Sequence, residues 1–412
     1  MAIIVQKYGG SSVADAAKIR DVARKVVACK AEGHDVVVVV SAMGKTTNDL
    51  IALAKELAPA PPRRELDMLL TAGERITAAL LSIAVSELGC EAVSLTGSQC
   101  GILTNDRHTD ARIIEVRPVR VEDELAQGRI VIVAGFQGVS YRREITTLGR
   151  GGSDTTAVAL AAALAAERCE IYSDVDGVFS ADPRQVGAAR HLPEISYEEM
   201  QEMSLAGAKV LHAAAVEFAK RAGIAIYARA AFAPGRETVI RRDTPTEEHG
   251  VRSVVSEREV AWVRLTGTAA LDRVLEILDA VEASEMPIKE LRCQRGTGTD
   301  DAAVGSFVVT TSTLPDWGRA RATLLSAGRG EVEIVEGLSA VSLIGIGLNR
   351  DTRNVQRALR VLQQIGAPLH ALSTSGFRIS LITSQEHLLA CVGELHRVFV
   401  ESQPAVPSLA EI

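Results

Sequence analysis

The stretch Asp35-Val36-Val37-Val38-Val39-Val40-Ser41 carries five consecutive valines. Five residues are too few for a helix, and β-branched side chains favour strands. An apolar run without polar alternation is typical of a strand that is buried on both faces, as in a parallel sheet covered by helices. The run therefore predicts a central parallel strand.

The segments on either side of this run alternate between short apolar strands and amphipathic helices. We predict strands at 3–6, 129–134 and 169–173, and helices at 14–29, 66–88 and 154–166. A further helical region begins at Ser196, which forms a capping-box pattern with Glu199. This alternation indicates an α/β fold in which a mostly parallel sheet is sandwiched by helices.

The C-terminal part of the chain contains an internal repeat. A polar, proline-containing stretch at 241–248 resembles a linker. Beyond it, 260–291 aligns without gaps on 341–372, and each copy reads strand, helix, strand. A further strand follows each copy, at 306–310 and 377–383, and then a helix. The pattern predicts two ferredoxin-like βαββαβ units, which sense ligands and form dimers, or only form dimers.

Composition excludes several classes of protein. The 412 residues carry a net charge of −7 and 3% aromatic residues, which leaves neither a basic footprint nor a base-stacking surface for nucleic acid. The six cysteines are scattered without metal-ligand spacing, which indicates reduced thiols in a cytoplasmic protein. The longest alanine-rich apolar run, 157–166, is about half the roughly 20 residues that a membrane span needs. We expect no nucleic-acid partner, no membrane and no targeting segment.

Two glycine-containing turns lead into predicted helices, and the first of them follows a predicted strand. Lys7-Tyr8-Gly9-Gly10-Ser11-Ser12 places a lysine and backbone N–H groups at a helix start, a geometry that holds phosphates, although ordinary strand-to-helix turns share it. Gly149-Arg150-Gly151-Gly152-Ser153-Asp154 adds an arginine that can grip a carboxylate and an aspartate at a helix start. A capped glycine turn would account for Ser153 and Asp154 but not for Arg150.

Two other motifs resemble known sites, and a single lysine lies on a predicted helix. The segment 173–184 begins like a calcium loop, but Gln185 stands where a bidentate glutamate is needed, so calcium is not expected. As a loop at the carboxyl end of a parallel strand, the segment still lies where open α/β sheets bind ligands. Gly44-Lys45-Thr46 resembles the end of a Walker loop, but Val39 occupies the position of its first glycine. Lys209, on a predicted helix, would by itself be a solvated residue.

Two lysines, glycine turns and a positioning aspartate suit phosphoryl transfer, which depends on alignment and on neutralising charge rather than on covalent chemistry. The sequence lacks the G-x-S-x-G and H-E-x-x-H motifs, and no dinucleotide motif follows the first strand. These absences disfavour a hydrolase, a zinc enzyme and a Rossmann oxidoreductase.

In the same order along nearly the whole chain, these motifs resemble those of aspartate kinases, which join an amino acid kinase fold to two ACT domains. The residues that carry the resemblance are 7–13, 40–44, 71–75, 135–138, 147–156, 173–184 and 207–212. The resemblance implies a catalytic domain at 1–245, a first ACT domain at 255–330 and a second at 336–405. It also implies that ATP phosphorylates the β-carboxylate of L-aspartate, at the head of the lysine, threonine and methionine branch.

The resemblance further implies roles for individual residues. Lys7 would stabilise the transferring phosphoryl group and Asp154 would organise that lysine, while Glu74 suits the amino group of aspartate. The residues implied for aspartate are Ser41, Thr47, Glu74, Arg150, Gly151, Gly152 and Ser153. The residues implied for ATP are Lys7, Tyr8, Gly9, Gly10, Ser173, Asp174, Phe179, Arg184 and Lys209. Mg²⁺ would be carried mainly by the phosphates, so no metal site made of protein side chains is expected.

The C-terminal half departs from the family pattern. ACT units that bind amino acids commonly carry an acidic residue, a proline and a glycine where this chain has 267–271. The S-T-S-E of the family reads Ser373-Thr374-Ser375-Gly376 here, and its Q-N reads Gln294-Arg295. We therefore expect inhibition by lysine and threonine to be weakened or absent. We also expect a homodimer or a larger oligomer that forms through the ACT domains.

Two other functions are compatible with the sequence. One is a kinase that forms an acyl phosphate on another amino acid, which the divergent C-terminal half favours. The other is a non-catalytic sensor or assembly protein whose ACT pair is the working part. Because Lys7, Asp154 and Lys209 are all present with their loops, the sequence favours catalysis.

Overall fold

The computed structural model describes residues 1–232, 235–242, 250–265, 271–284, 286–295, 303–314 and 316–402. Its contacts divide the chain into two compact units. Within the described residues, the first unit comprises 1–179, 191–205 and 209–242, and the second comprises 180–190, 206–208 and 250–402.

The first unit holds fourteen strands and seven α-helices among the described residues. Its strands are β1 (Ile3–Tyr8), β2 (Asp35–Val40), β3 (Ala92–Leu95), β4 (Ile102–Thr104), β5 (Ile113–Val116), β6 (Ile130–Ala134), β7 (Gln137–Ser140), β8 (Ile145–Thr147), β9 (Arg168–Ser173), β10 (Val178–Phe179), β11 (His191–Leu192), β12 (Glu194–Ser196), β13 (Ile226–Ala230) and β14 (Glu237–Arg241). Its helices are α1 (Ala16–Ala31), α2 (Thr46–Leu57), α3 (Arg63–Glu87), α4 (Val119–Ala126), α5 (Gly152–Ala163), α6 (Tyr197–Leu205) and α7 (Ala213–Ala222).

The main sheet of this unit has the order β12-β14-β13-β9-β1-β2-β6-β3. The six strands from β13 to β3 run parallel, and only the β13–β14 pair is antiparallel. The valine strand β2 lies between β1 and β6, and all five valines are fully buried. Val36, Val38 and Val40 join a core with α1 and α3, while Val37 and Val39 point to the other face. The α/β prediction, with a mostly parallel sheet, is therefore confirmed.

A smaller sheet, in the order β5-β4-β7-β8, carries the residues that lead into α5. β4 pairs with β7 in parallel, and β7 pairs with β8 in an antiparallel hairpin. The last residue of β8 is Thr147, so this sheet delivers the chain directly to the loop that contains Arg150.

Helix α3 is the longest helix of the described residues and divides into a polar and an apolar half. Asp67, Thr71 and Glu74 are buried on its N-terminal half, and Leu81 and Val85 are buried on its C-terminal half. By length and composition alone this helix could cross a membrane, and 44% of its most apolar window is buried within the protein. Core helices of folded domains commonly pass the same test, so the feature is weak support for a membrane span.

The second unit is built on a single sheet in the order β16-β17-β15-β18-β20-β19. Its strands are β15 (Gly250–Leu265), β16 (Ile288–Arg295), β17 (Ala303–Thr310), β18 (Val332–Ile346), β19 (Ala371–Thr374) and β20 (Arg378–Ser384). Its helices are α8 (Leu271–Ala283), α9 (Trp317–Gly328), α10 (Arg353–Gln364) and α11 (Leu388–His396), the last followed by a π-helical turn, Arg397–Glu401.

The two long strands β15 and β18 are shared by two ferredoxin-like halves. The second part of β15 and the first part of β18 enclose α8, β16, β17 and α9, which gives one βαββαβ unit. The other half begins with the second part of β18 and continues through α10, β19, β20 and α11. Its fourth strand is the first part of β15, which precedes the repeat in the sequence. Two ferredoxin-like halves are therefore present, and the second is completed by an earlier strand.

Two short segments within the predicted catalytic range 1–245 pack in the second unit. The larger, 180–190, contributes Ala181 and Val186 to the core that contains Val254. The smaller, 206–208, lies against β15, where a Cβ on Gly207 would be 2.3 Å from Glu257 Cγ. Most of the predicted linker 241–248 and most of the loop 267–271 lie outside the described residues.

Candidate active site

The strand ends of the main sheet bring the two predicted catalytic residues together. Lys7 is the fifth residue of β1, in register with Val39 of β2 and Ile171 of β9. Asp154 lies in the first turn of α5. Lys7 Nζ lies 2.6 Å from Asp154 Oδ1, and both side chains are 11% exposed. The pair is thus a largely buried ion pair beside the carboxyl edge of a parallel sheet, where open α/β folds bind ligands.

The turn after β1 contains two glycines that lie close to neighbouring groups. A Cβ on Gly9 would be 3.5 Å from Lys7 Nζ, which is ordinary van der Waals contact. A Cβ on Gly10 would be 2.8 Å from the carbonyl oxygen of Ala42, which is closer than real Cβ atoms come. The loop after β2 therefore packs directly on this turn, and Gly44 N–H donates to Gly10 O at 3.0 Å.

The side chain of Tyr8 lies away from this turn. It is fully buried in the core with α1 and stacks on Tyr172 with ring centroids 4.7 Å apart. Its carbonyl accepts a hydrogen bond of 3.1 Å from Ser41 N–H. Tyr8 thus holds Ser41 beside the turn, and a nucleotide bound there would reach only the backbone of Tyr8.

The loop that begins α5 has a left-handed glycine against a histidine that the sequence analysis did not assign to the site. Gly151 has φ of 69°, and a Cβ on it would be 2.2 Å from His212 Cβ. Burial lowers the pKa of His212, and the nearby carboxylates of Asp154 and Asp110 oppose that shift. The motif Gly207–His212 was a signal for this residue, but only the packing shows that His212 contacts the Arg150 loop.

Glu74 of α3 is buried beside Ser41. Its Oε1 accepts a hydrogen bond of 3.1 Å from Ala42 N–H, while its Oε2 is buried without a hydrogen-bond partner among the described residues. Burial raises the pKa of the Glu74 carboxyl to about 7, and the hydrogen bond from Ala42 opposes that shift. A buried carboxylate with one unsatisfied oxygen is suited to a cationic ligand group.

The remaining predicted substrate residues occupy the same edge. Ser153 is buried in the first turn of α5, and a Cβ on Gly135, at the end of β6, would be 2.9 Å from its Oγ. Thr47 is half-buried in the first turn of α2, and Arg150 is exposed on the loop.

The predicted nucleotide residues fall into three groups. Ser173 ends β9, and its Oγ accepts a hydrogen bond of 3.2 Å from Val175 N–H in the turn that exposes Asp174. Phe179 is half-buried and makes an edge contact with His191, with ring centroids 5.4 Å apart. Lys209 is exposed in the loop between α6 and α7, so the prediction that it lies on a helix is wrong. Arg184 lies in the segment 180–190 of the second unit.

No group of three His, Cys, Asp or Glu side chains in the described part of the chain has the geometry to hold a metal ion. Glu74, Asp154 and Asp174 are carboxylates at this edge, and Asp154 is already paired with Lys7.

Known proteins resemble the chain along nearly its whole length. Residues 2–228 match the model of the amino acid kinase family. An aspartokinase of Mycobacterium bovis is 45% identical over 409 residues, which is 97% of this chain and 96% of that protein. An aspartokinase of Geobacillus stearothermophilus is 43% identical over 401 residues, 97% of each chain.

Solved structures give the same result. Aspartokinase III of E. coli in complex with aspartate and ADP, in its R-state, is 25% identical with a TM-score of 0.82, over 96% of this chain and 99% of that one. The complex of the same enzyme with lysine and aspartate, in its T-state, has a TM-score of 0.74 at 25% identity, over 97% of this chain and 99% of that one. The fold and the strand-edge site define an amino acid kinase. Within that class, the chain belongs to the aspartokinase family.

Proposed function

We propose that this protein is an aspartate kinase, which transfers the γ-phosphoryl group of ATP to the β-carboxylate of L-aspartate and gives 4-phospho-L-aspartate. The observation that carries the proposal is the buried Lys7–Asp154 pair at the sheet edge, between the glycine turn after β1 and the Arg150 loop. The full-length similarity to aspartokinases supports the choice of substrate.

The glycine turn and the neighbouring strand ends would bind the nucleotide. Lys7 and the N–H groups of Gly9 and Gly10 suit phosphate oxygens. Ser173, Asp174 and Phe179 would contact the rest of the nucleotide, together with Lys209 and Arg184. Mg²⁺ would enter on the phosphates, because this ion keeps several waters and rarely binds in an all-protein cage.

The other side of the site, formed by the Arg150 loop and by Glu74 of α3, would bind aspartate. Arg150 offers the planar fork that matches a carboxylate, and the N–H groups of Gly151 and Gly152 lie at the positive end of α5. Glu74, whose Oε2 has no hydrogen-bond partner in the part of the chain that the structure describes, would accept the amino group. The hydroxyl-bearing residues Ser41, Thr47 and Ser153 complete this set.

The chemistry then needs little more than alignment. A β-carboxylate oxygen of aspartate attacks the γ-phosphorus, a new P–O bond forms, and the bond to the bridging oxygen breaks to release ADP. Negative charge builds on the equatorial oxygens and on the leaving oxygen. Lys7, held by Asp154, would stabilise that charge without having to reorganise during the reaction.

The second unit would serve regulation and assembly. Its two ferredoxin-like halves fit ACT domains, through which we expect a homodimer or a larger oligomer. Since the groups that would bind an amino-acid effector differ at 294–295 and 373–376, we expect weak or absent feedback inhibition. Turnover with 10 mM lysine and threonine, alone and together, should stay within roughly twofold of the uninhibited rate, and abolished turnover would refute this part. We also expect the enzyme to work in the cytoplasm, in the lysine, threonine and methionine branch.

A hydroxylamine trap tests the substrate assignment. The protein is incubated with Mg-ATP and a panel of acidic amino acids, and acyl phosphates are captured as hydroxamates. We expect a hydroxamate from aspartate alone. A hydroxamate from another amino acid instead would assign a different substrate, and no hydroxamate with any of them would favour the non-catalytic alternative.

A further inference from the structure

Asp67 is a fully buried carboxylate outside the predicted site. It lies in the second turn of α3 and has no exposed surface. Thr147 Oγ1 donates to its Oδ1 at 2.6 Å, and His108 Nδ1 lies 2.6 Å from its Oδ2. Thr109 N–H donates to both oxygens, at 3.1 and 3.2 Å. An ionised Asp67 carboxylate only accepts, so it pairs with the tautomer of His108 that carries a hydrogen on Nδ1. Burial raises the pKa of Asp67, and the hydrogen bonds from Thr147 and His108 oppose that shift.

The partners of Asp67 are the residues on which the Arg150 loop rests. Thr147 immediately precedes that loop, and its carbonyl accepts a hydrogen bond of 2.8 Å from Ala111 N–H. A Cβ on Gly149 would be 2.9 Å from Asp110 Oδ1 and 3.4 Å from Thr109 O. The turn 108–111 is therefore packed directly against the start of the loop.

The turn is held in a conformation that its sequence disfavours. Thr109 has φ of 69°, which is strained for a β-branched residue. Its N–H points to Asp67, so the buried carboxylate offsets the strain. Strained residues persist only where the surrounding structure fixes them, and they cluster at functional sites.

A second strained residue supports the loop from the other side. Phe136, with φ of 68°, accepts a hydrogen bond of 2.9 Å from Leu148 N–H through its carbonyl. A Cβ on Gly152 would be 2.9 Å from the Phe136 ring. The loop is thus held between the turn at Thr109 and the turn at Phe136.

The position of Asp67 on α3 connects both walls of the aspartate site. Asp67 and Glu74 are buried on one face of the helix and lie seven residues apart, roughly 10 Å along the axis. Glu74 bonds to Ala42 beside Ser41, while Asp67 bonds to Thr147 beside the Arg150 loop. One rigid helix therefore sets the distance between the two walls.

We infer that Asp67 is a positioning residue, which fixes the Gly149–Gly152 loop through Thr147, Thr109 and His108 and so sets the place of Arg150 for the carboxylate of the substrate. The kinetic consequence rests on the proposed aspartate kinase function, whereas the structural consequence does not. Loss of the Asp67 carboxylate should loosen the Gly149–Gly152 loop, which would bind aspartate, and should leave the glycine turn after β1 intact.

Three substitutions in the full-length protein test the inference. Asp67→Asn removes the charge and replaces one acceptor oxygen by a donor, so the group that faces the new amide must become an acceptor or lose its partner. Thr147→Val removes only the hydroxyl at nearly constant shape, and Thr147→Ser keeps it. The matched control is Asp35→Asn, which removes a largely buried carboxylate that is paired with Lys30 at the other end of β2.

We expect Asp67→Asn and Thr147→Val each to raise KM for aspartate roughly 10- to 100-fold, with KM for ATP within about twofold of wild type. Thr147→Ser should restore most of the affinity for aspartate, and Asp35→Asn should leave both constants near wild type. The Asp67→Asn, Thr147→Val double variant should be little worse than either single variant, because both remove one interaction.

Hydrogen exchange separates the inference from the proposed function. Amides at 147–152 should exchange faster in Asp67→Asn than in wild type, while those at 7–13 should not change. Equal increases in both KM values, or unchanged exchange across 147–152, would overturn the positioning role. If the wild-type protein forms no hydroxamate from aspartate, the proposed function fails, and the exchange rates still decide whether Asp67 holds the loop.

Discussion

Lys7 Nζ lies 2.6 Å from Asp154 Oδ1, and this contact joins the central strand β1 to the first turn of α5. The two residues are 147 positions apart in the sequence, and both are largely buried. The pair therefore places a fixed positive charge at the edge of the sheet, in an environment that weakens competition from water.

Removal of either member of this pair should abolish most of the activity without unfolding the protein. We expect Lys7→Ala and Asp154→Ala each to lower kcat by roughly 100-fold or more, because the charge that develops in transfer loses its stabilising group. The double variant should be close to the worse single variant. Rates are measured by ADP release and folding by circular dichroism. The control is Lys30→Ala, which breaks another largely buried ion pair, with Asp35, and should keep kcat. Near-normal rates in both single variants would contradict the assigned roles.

The activity should depend on the protonation of Glu74. Burial raises the pKa of this carboxyl to about 7, and only its ionised form suits an amino group. In wild type, kcat/KM for aspartate should fall as the pH drops below about 7, since this ratio reports the free enzyme. In Glu74→Gln, kcat/KM for aspartate should be low at every pH and should not fall further as the pH drops below about 7. An unchanged pH profile in the variant would exclude Glu74 as the titrating group.

The same carboxyl should make the protein less stable as the pH rises. A group whose folded pKa lies above its unfolded value of 4.5 favours the folded state while it is protonated. That advantage is lost between pH 4.5 and about 7, as the unfolded state ionises first. Glu74→Gln should therefore gain stability relative to wild type over this interval, by roughly 3 kcal/mol at most. Urea unfolding at pH 5 and pH 8 measures the difference, and a constant difference would contradict it.

Two glycines with the same φ allow the effect of backbone strain to be measured separately from the effect of a steric clash. Gly151 and Gly223 both have φ of 69°, but a Cβ on Gly223 would meet no atom within 4 Å. Gly223→Ala should cost only about 1–2 kcal/mol of stability and should keep kcat. Gly151→Ala should additionally displace His212 or the Arg150 loop, with a loss of roughly tenfold or more in kcat/KM. Equal effects of the two substitutions on stability and kcat/KM would show that the contact with His212 has no functional weight.

A buried network should stabilise the second unit. Ser180 Oγ accepts a hydrogen bond of 2.8 Å from Arg190 N–H and lies 2.8 Å from His396 Nε2. The other ring nitrogen of His396, Nδ1, lies 2.9 Å from Glu401 Oε1. Ser180→Ala removes a partner from the buried His396 Nε2 and from the part-buried Arg190 N–H, at a cost of roughly 1–3 kcal/mol. Thr323→Ala, at a partly exposed helical position, should stay within about 0.5 kcal/mol of wild type. Urea unfolding gives the free energy of unfolding of both variants. Equal losses in the two would contradict a stabilising role for the network.

Local patterns predicted much of the first unit. The five-valine run placed a buried strand at the centre of the sheet, and glycine turns after β1 and before α5 marked two walls of the site. These features depend on residues close in the chain, which a periodicity or a short motif can show. The ferredoxin-like halves were predicted in the same way. The sequence did not predict that the first part of β15 supplies the fourth strand of the second half. That pairing joins Gly250–Glu257 to β18, some ninety residues later, and no local signal encodes it.

The supports of the site were not predictable from the sequence. Asp67 reaches His108 and Thr147 across 41 and 80 residues, and His212 contacts Gly151 across a similar distance. Thr109 gives no sign of its strained backbone in the sequence, because a left-handed threonine is disfavoured everywhere except where tertiary contacts impose it.

Side-chain type and local spacing are enough to predict the α/β class, the chemical groups available at the site and their order along the chain. Which of those groups meet depends on how the chain packs. The tertiary structure paired Lys7 with Asp154, buried Glu74 so that its pKa rises to about 7, and placed 180–190 in the second unit. Burial and distance are properties of the packed chain, and they set the charge that each group carries.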